Sequence, residues 1–273
     1  MTRFSSLVAV AVAVLFAGCG GANHPKTSAR VVSTAAAKTT TASTARLSER
    51  LTGSVNGESL GDGSLSGVVD SAHHRASLAY NLAFLAKASA GTSADALVGR
   101  VVHDGNNAFV SSPAITRRLP SGRRWIEIAD TEAERSGSLA GGTSGVGTLD
   151  ETKPVDHLRA VAGKTEELGD ETVNGVATKH YRSQLDYRLY VPLVARSQRA
   201  GLRKAVAKLD STLGGTSFPV EAWIARDGTV RRVKGLIEGR GLKLEYTLDL
   251  TAIGKPVRLD PPPAARVLDA RKP

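Results

Sequence analysis

One pentapeptide has the residue types and the spacing of a catalytic nucleophile. Gly57-Glu58-Ser59-Leu60-Gly61 matches the Gly-x-Ser-x-Gly pattern in which a serine attacks an ester or amide carbonyl. That chemistry needs the serine on a sharp turn between a buried strand and a helix. Here Asp62-Gly63 and a further strand-like pattern follow, with no predicted helix. We therefore predict that Ser59 lies at a hairpin tip and that the chain has no catalytic residues.

Histidines and carboxylates are the next candidates, as metal ligands or acid–base groups. No histidine forms the i, i+4 pair with an intervening glutamate that a helical zinc site needs. His73-His74 next to Arg75 is typical of a solvated turn, and Glu166-Glu167 and Asp170-Glu171 are typical of solvated carboxylates. The sequence therefore predicts no metal and no cofactor. The histidines considered are His24, His73, His74, His103, His157 and His180.

The single cysteine lies at the end of an N-terminal secretory pattern. Arg3 precedes an apolar run from Leu7 to Ala17, which is too short to cross ~30 Å of hydrocarbon. A positive start, a short apolar middle and a small-residue exit are typical of a signal peptide. Phe16-Ala17-Gly18-Cys19 resembles the lipobox of bacterial lipoproteins, in which the thiol is diacylated, although Phe16 replaces the usual leucine. We predict lipidation at Cys19; the alternative is an ordinary signal with an incidental cysteine.

Lipidation would fix the chemistry of the rest of the chain. With the only cysteine acylated, no disulfide can form, so the domain depends on its core. Two or three acyl chains hold a protein stably on the extracytoplasmic face of the cell membrane. A net charge of +10 would suggest nucleic acid, but export argues against that partner. Anionic head groups, cell-wall polymers or no specific partner remain.

Composition and pattern divide the chain into three parts. Residues 1–18 are predicted as the signal peptide, 19–30 as a flexible tether and 31–273 as one domain. Within the domain, Val31–Leu47 is predicted as a helix, although its threonines lower the helix propensity. Aromatic residues make up only 4% of the chain, which suggests an incompletely filled interior.

Most of the domain has the pattern of antiparallel strands. Residues 241–250 alternate strictly between apolar and polar, which predicts a strand with one buried face. The same alternation recurs over residues 76–82, 181–187 and 220–224. Turn dipeptides that favour tight hairpins separate the runs: Asn56-Gly57, Asp62-Gly63, Asp104-Gly105, Asn174-Gly175 and Asp227-Gly228.

Two further helices are predicted to cover the apolar face of this sheet. Pro154–Leu168 begins with a proline and carries Val155, Leu158 and Ala162 at helical spacing. Gly201–Leu213 has an apolar stripe and ends at Gly214-Gly215. The loop 137–147 is rich in glycine but lacks the lysine of a phosphate-binding loop.

Four segments, in order, resemble actinobacterial lipoproteins of the LppX/LprG type within the LolA-like superfamily. The most specific is 170–181, an acidic residue followed by a Val-Asn-Gly-Val hairpin and a Thr-x-His-Tyr strand. Residues 124–128, 219–232 and 254–262 resemble further strands and the closing segment of that family. The resemblance covers roughly Thr44 to Asp269. The loop 137–147 and the basic stretch 196–208 depart from the pattern.

The resemblance implies an α+β fold, a single curved antiparallel half-barrel with helices covering its concave face. The enclosed apolar cavity would take up acyl chains of a lipid or glycolipid, with helix 154–168 as its lid and basic groups at its rim. A membrane transporter is a further candidate partner. From strand parity we predict these lining residues: Leu78, Tyr80, Leu82, Tyr181, Leu185, Val220, Ala222, Ile224, Leu244, Tyr246 and Leu248.

Two other functions stay open at this point. A non-catalytic envelope sensor or structural protein-binding module would use the same fold with a packed interior, because fold alone does not determine function. A hydrolase acting on envelope material through Ser59 is the least favoured alternative.

Overall fold

The computed structural model describes residues 25–88, 91, 93–105, 107–129 and 153–269. Within these ranges twelve strands form one open sheet in the order β12-β6-β5-β4-β3-β2-β1-β11-β10-β9-β8-β7. All neighbouring pairs are antiparallel except β12 with β6. The predicted α+β class with a single, mainly antiparallel sheet is therefore confirmed. The strands are β1 Thr44–Val55, β2 Glu58–Asp70, β3 Arg75–Asn81, β4 Val98–Asp104, β5 Asn107–Ser111, β6 Trp125–Ala129, β7 Val161–Val173, β8 Val176–Asp186, β9 Ser217–Ala225, β10 Val230–Gly239, β11 Leu242–Thr251 and β12 Val267–Asp269.

Helices make up the second layer. Their bounds are α1 Pro25–Thr41, α2 Pro113–Thr116, α3 Lys153–His157, α4 Tyr187–Tyr190 and α5 Arg199–Leu213. Short 3₁₀ turns follow α3 and α4, at Leu158–Ala160 and Val191–Leu193. The small residues Ala35 and Ala36 of α1 lie in the core beside residues of the sheet. We call the face of the sheet that contacts these helices the inner face, and the opposite face the outer face.

The predicted lid helix over residues 154–168 is wrong. Helix α3 ends at His157, and after one 3₁₀ turn the chain enters β7 at Val161. Gly163 has a φ of +72°, which interrupts a helix, and Thr165 then hydrogen-bonds Ser183 of β8 at 2.9 Å. The helical spacing of the apolar residues is thus shared between a short helix and an edge strand.

The first helix is displaced from its predicted position. It begins at Pro25, inside the predicted tether, rather than at Val31, and it ends at Thr41 rather than at Leu47. Ser43 has a φ of +60°, and from Thr44 the chain pairs with both β2 and β11. Helix α5 agrees with the prediction, and Gly214 ends it with a φ of +80°.

Four of the five predicted turn dipeptides connect adjacent strands, and one does not. Asp62-Gly63 lies inside β2, so that turn prediction is wrong. A Cβ atom on Gly63 would lie 2.4 Å from the ring of Phe84, so the glycine makes room for a ring rather than for a turn. The turn missed by the sequence is Arg240-Gly241 between β10 and β11, where both residues have positive φ.

The predicted strand faces are largely confirmed. The apolar residues of β3 and β9 that were predicted to share a face are buried on the inner face. Strand β8 ends at Asp186, whose side chain accepts a hydrogen bond from the backbone N–H of Arg188. Tyr187, predicted as a strand residue, therefore begins α4 instead.

Candidate functional site

The residues predicted to line a cavity lie in two neighbouring apolar clusters. Nine of the eleven are buried: Leu78, Tyr80, Leu82, Tyr181, Leu185, Val220, Ala222, Ile224 and Leu248. The larger cluster also contacts Tyr246, and the smaller one, around Phe84, contains Leu82 and contacts Leu244. Tyr246 and Leu244 are only partly buried. Among the predicted residues, the accessible inner surface is therefore at Tyr246 and Leu244.

Glycines lie beneath the aromatic rings of this inner face. A Cβ atom on Gly235 would be 2.4 Å from the ring of Tyr246, its cross-strand partner on β11. Phe84 covers Gly53 and Gly63 in the same way, with a closest approach of 2.4 Å. Rings that occupy the space of missing side chains lie close to the sheet.

Polar side chains interrupt the apolar inner face, among them Glu49, Tyr187 and Tyr246. Glu49 lies between Leu248 of β11 and Leu65 of β2 in the strand register, and Tyr246 is its diagonal neighbour on β11. Tyr187, at the start of α4, packs its ring edge-on against Phe218 at 6.2 Å. Each side chain retains partial exposure. We call Glu49, Tyr187 and Tyr246 the inner polar recess.

The electrostatics of the recess indicate deep enclosure. Burial raises the pKa of Glu49 to about 7 and that of Tyr187 to about 12. Burial, followed by the nearby Tyr187 and Glu49, raises the pKa of Tyr246 well above its usual value. No hydrogen bond joins any of the three polar side-chain ends to another residue in the described part of the chain. Within the described ranges, a carboxyl group and two hydroxyls are thus largely buried without a hydrogen-bond partner.

The segment that follows Tyr187 presents apolar side chains to solvent. Leu189 is 47% exposed and Leu193 is 38% exposed. Arg199 donates hydrogen bonds to the carbonyls of Val194 and Pro192, so it ties this segment to the start of α5. The exposed surface of α5 carries Arg203, Lys204 and Lys208. An apolar tip thus adjoins a basic helix next to the inner polar recess.

The inner layer is closely packed at the α1 end. A space of only about 20 Å³ lies between the end of α1 and strands β1, β2 and β11. Thr39 closes it, because its hydroxyl donates to the Ala35 carbonyl at 2.7 Å and accepts from the backbone N–H of Val230 at 2.8 Å. Space for a ligand is therefore not expected beneath α1.

The outer face carries a separate, polar depression of about 660 Å³. Its lining includes Arg46, Arg100 and Arg258 together with several serines of β1, β2 and β3. It is not the apolar space predicted from the sequence, because the lining side chains belong to the opposite strand parity.

A network of polar side chains, centred on the buried His180 and Trp223, extends along the same outer face. His180 stacks on Trp223 with ring centroids 4.0 Å apart, and its two ring nitrogens lie 2.8 Å from Glu171 and 3.1 Å from Glu221. The Trp223 N–H donates to Glu171 at 2.8 Å. Arg232 lies over the Trp223 ring and donates twice to Asp249, at 2.6 and 2.8 Å. We call these residues the outer-face network; of them, Glu171 was predicted from the sequence to be a solvated carboxylate.

The remaining candidate residues do not form a reactive site. Ser59 is exposed near the start of β2, just after the Asn56-Gly57 turn, and the strand continues to Asp70 instead of giving way to a helix. In the described part of the chain, no three or more His, Cys, Asp or Glu residues are grouped as metal ligands. No helix in the described ranges is long and apolar enough to cross a membrane. Cys19, His24 and the loop 137–147 lie outside the described residues.

Comparisons with known proteins bear on the fold. No family profile matches the sequence, and no curated protein is significantly similar to it. Among solved structures, LprF from Mycobacterium bovis has a TM-score of 0.51 at 12% identity, covering 88% of this chain and 98% of its own. Lipoprotein LppX of Mycobacterium tuberculosis has a TM-score of 0.49 at 16% identity, covering 87% and 100%. A LolA superfamily protein from Nitrosomonas europaea has a TM-score of 0.26 at 7% identity, covering 86% and 94%.

The similarity to LprF extends over nearly the whole of both chains. The resemblance seen in the sequence is thus confirmed at the level of the fold: the open, helix-covered sheet of this chain is similar in fold to LprF.

Proposed function

We propose that this protein is a lipoprotein of the extracytoplasmic membrane surface that binds acyl chains of a lipid or glycolipid. The chains would lie against the inner face of the sheet, in the region of Leu51, Leu244 and Tyr246, beneath α4 and α5. The observation that carries this proposal is the enclosed but accessible inner wall in which the Tyr246 ring lies over Gly235. Burial of hydrocarbon there would supply about 25 cal/mol per Å².

The exposed apolar segment with Leu189 and Leu193 suggests where a ligand would enter. Leu189 and Leu193 would touch the hydrocarbon of the membrane, while Arg203 and Lys204 would contact anionic head groups. Basic residues near an anionic surface contribute about 1 kcal/mol each. In this proposal the rim is formed by α4 and α5. The predicted lid helix 154–168 cannot serve, because α3 ends at His157 and β7 begins at Val161.

Native mass spectrometry tests the binding function. The Cys19→Ala variant, which lacks the thiol for acylation, should carry co-purified lipid when it is isolated without detergent. A lipid-free mass across gentle preparations would contradict the proposal. Replacing Leu189 and Leu193 with serine should leave the bound lipid in place and slow its transfer to vesicles that contain anionic lipid.

Membrane attachment is tested separately. The unchanged chain should fractionate with membranes, and the Cys19→Ala variant should be recovered there at a lower level, because it lacks the thiol that would carry the acyl chains. Recovery of the variant with membranes at the original level would remove the lipid anchor from the proposal.

A further inference from the structure

Glu49 is placed where the strand register calls for an apolar residue. Its row on the inner face runs from Tyr181 on β8 through Ala222, Val233 and Leu248 to Glu49, and continues through Leu65 to Tyr80. Among the seven residues of this row, only Glu49 has a carboxyl group. An isolated carboxylate on an apolar wall is costly unless something hydrogen-bonds or neutralises it.

Two hydroxyl groups are close to this carboxyl group. Tyr246 is two residues along β11 from Leu248, the cross-strand partner of Glu49, so the Cα atoms of Glu49 and Tyr246 are about 7 Å apart. Tyr187 and Tyr246 are both partly buried and pack against the same apolar cluster of the inner face. No residue of the described chain accepts from or donates to these three ends.

We propose that the inner polar recess binds the ester carbonyl of an acyl-ester lipid, with Glu49, Tyr187 and Tyr246 as hydrogen-bond donors. This inference rests on the proposed lipid binding and names the chemical class of the ligand. A protonated carboxyl and two phenols are three donors, any two of which satisfy the two lone pairs of a carbonyl oxygen. A hydrocarbon would leave the three groups unpaired, and a free carboxylate would be repelled by the ionised form of Glu49.

The test uses the full chain carrying Cys19→Ala, with displacement of the fluorescent hydrocarbon pyrene as the measurement. Methyl palmitate should bind about fivefold more tightly than hexadecane, the effect of roughly one net hydrogen bond. Glu49→Leu should reduce the affinity for methyl palmitate by about fivefold and leave the affinity for pyrene unchanged.

Glu49→Gln separates a binding role from a structural one. The amide keeps a donor, so methyl palmitate should bind within about twofold of the unchanged protein, whereas palmitate should bind several-fold more tightly because the negative charge is gone. Tyr246→Phe, which preserves the volume of the ring, should weaken methyl palmitate binding alone. Glu58→Gln, at an exposed position of the β1–β2 hairpin, is the matched control and should change nothing.

The outcomes distinguish the two proposals. Pyrene that binds normally, with no preference for the ester or no effect of Glu49→Leu, overturns the ester site and leaves lipid binding in place. A protein that binds neither pyrene nor methyl palmitate overturns both.

Discussion

The two faces of the sheet differ in whether their buried polar side chains have hydrogen-bond partners. On the outer face, His180 and Trp223 are buried together, and every polar contact they need comes from Glu171, Glu221 and neighbouring side chains. On the inner face, Glu49, Tyr187 and Tyr246 are enclosed without a partner in the described chain. Partnered burial stabilises a fold, whereas unpartnered burial lowers its stability and suits a place that something else must fill.

The difference separates what holds the protein together from what it uses. The outer-face network links strands β7 to β11 through contacts between neighbouring strands. It therefore stabilises the part of the sheet whose inner face includes Tyr246 of the inner polar recess. A sheet that is stabilised by contacts on its outer face can tolerate polar groups without hydrogen-bond partners on its inner face. We therefore expect stability to depend on outer residues and ligand preference on inner ones.

The largest expected effect on stability comes from disrupting the outer-face network. Trp223→Ala removes a ring that is 6% exposed, its stack on His180 and its hydrogen bond to Glu171. The free energy of unfolding should fall by about 3–5 kcal/mol in chemical denaturation. Trp125→Ala, in the partly buried strand β6, should cost clearly less. A loss below about 1 kcal/mol at Trp223 would contradict a stabilising role for the network.

The next effect is the pH dependence of stability caused by Glu49. Its pKa is about 7 in the folded chain against 4.5 for the ordinary side chain, so folding favours the protonated form. Stability contributed by that form is complete below pH 4.5 and is lost as the pH rises through 7. Glu49→Gln cannot ionise, so at pH 8 it should be more stable than the unchanged protein by up to about 3 kcal/mol.

The difference between the two proteins isolates this carboxyl group. Tyr80, Tyr181, Tyr187 and Tyr246 of the surrounding inner face stay protonated between pH 4 and 8, because burial raises each pKa. His157, whose ring lies edge-on to Tyr187 at 5.1 Å, is present in both proteins, so its contribution cancels in the difference. Thermal or urea unfolding should show the advantage of Glu49→Gln vanishing at pH 4. A stability advantage that is the same at pH 4 and pH 8, or one that Glu58→Gln also gives, would contradict the claim that Glu49 is buried with a raised pKa.

The third test concerns the shape of the inner wall. Gly235→Ala places a methyl group 2.4 Å from the Tyr246 ring, so the ring must leave its position over the sheet. We expect a loss of about 2 kcal/mol in the free energy of unfolding. Gly215→Ala, where a Cβ atom would meet nothing within 4 Å, should have no such cost. In a Tyr246→Ala background the Gly235 change should cost almost nothing; an equal cost there would show that the ring is not what the glycine accommodates.

The sequence predicted the strands well because alternation is local. Residues 76–82 and 220–224 show which side chains turn inward without any knowledge of their neighbours. The helix prediction for residues 154–168 was wrong because Val155, Leu158 and Ala162 have helical spacing by chance. The positive φ of Gly163 and the hydrogen bond between Thr165 and Ser183 favour a strand instead. Pairing with a distant strand leaves little trace in a short window.

The site was harder to predict for the same reason. Leu47, Glu49 and Leu51 alternate with Ser48 and Arg50, which puts Glu49 on the inward side, but the signal is hidden when Leu47 is assigned to a helix. The outer-face network depends on His180 and Trp223 being directly opposite in the β8–β9 register. Register is a property of two segments, so neither partner alone indicates that it is buried.

The smallest effect should come from Glu171, and its sign is opposite to that of Glu49. The hydrogen bonds from Trp223 and His180 hold the pKa of Glu171 below its usual value, so its stabilising contribution is present at neutral pH and is lost on acidification. Glu171→Gln should therefore be less stable than the unchanged protein at pH 6, and the gap should close towards pH 3, as followed by urea unfolding. The change should be smaller than that at Glu49 because the Glu171 side chain is half exposed and solvent screens its charge. A gap that stays constant with pH would mean that only the packing of the side chain matters there. A gap that closes would give the two faces opposite pH slopes, because hydrogen bonds from Trp223 and His180 favour the ionised form of Glu171 and burial favours the protonated form of Glu49.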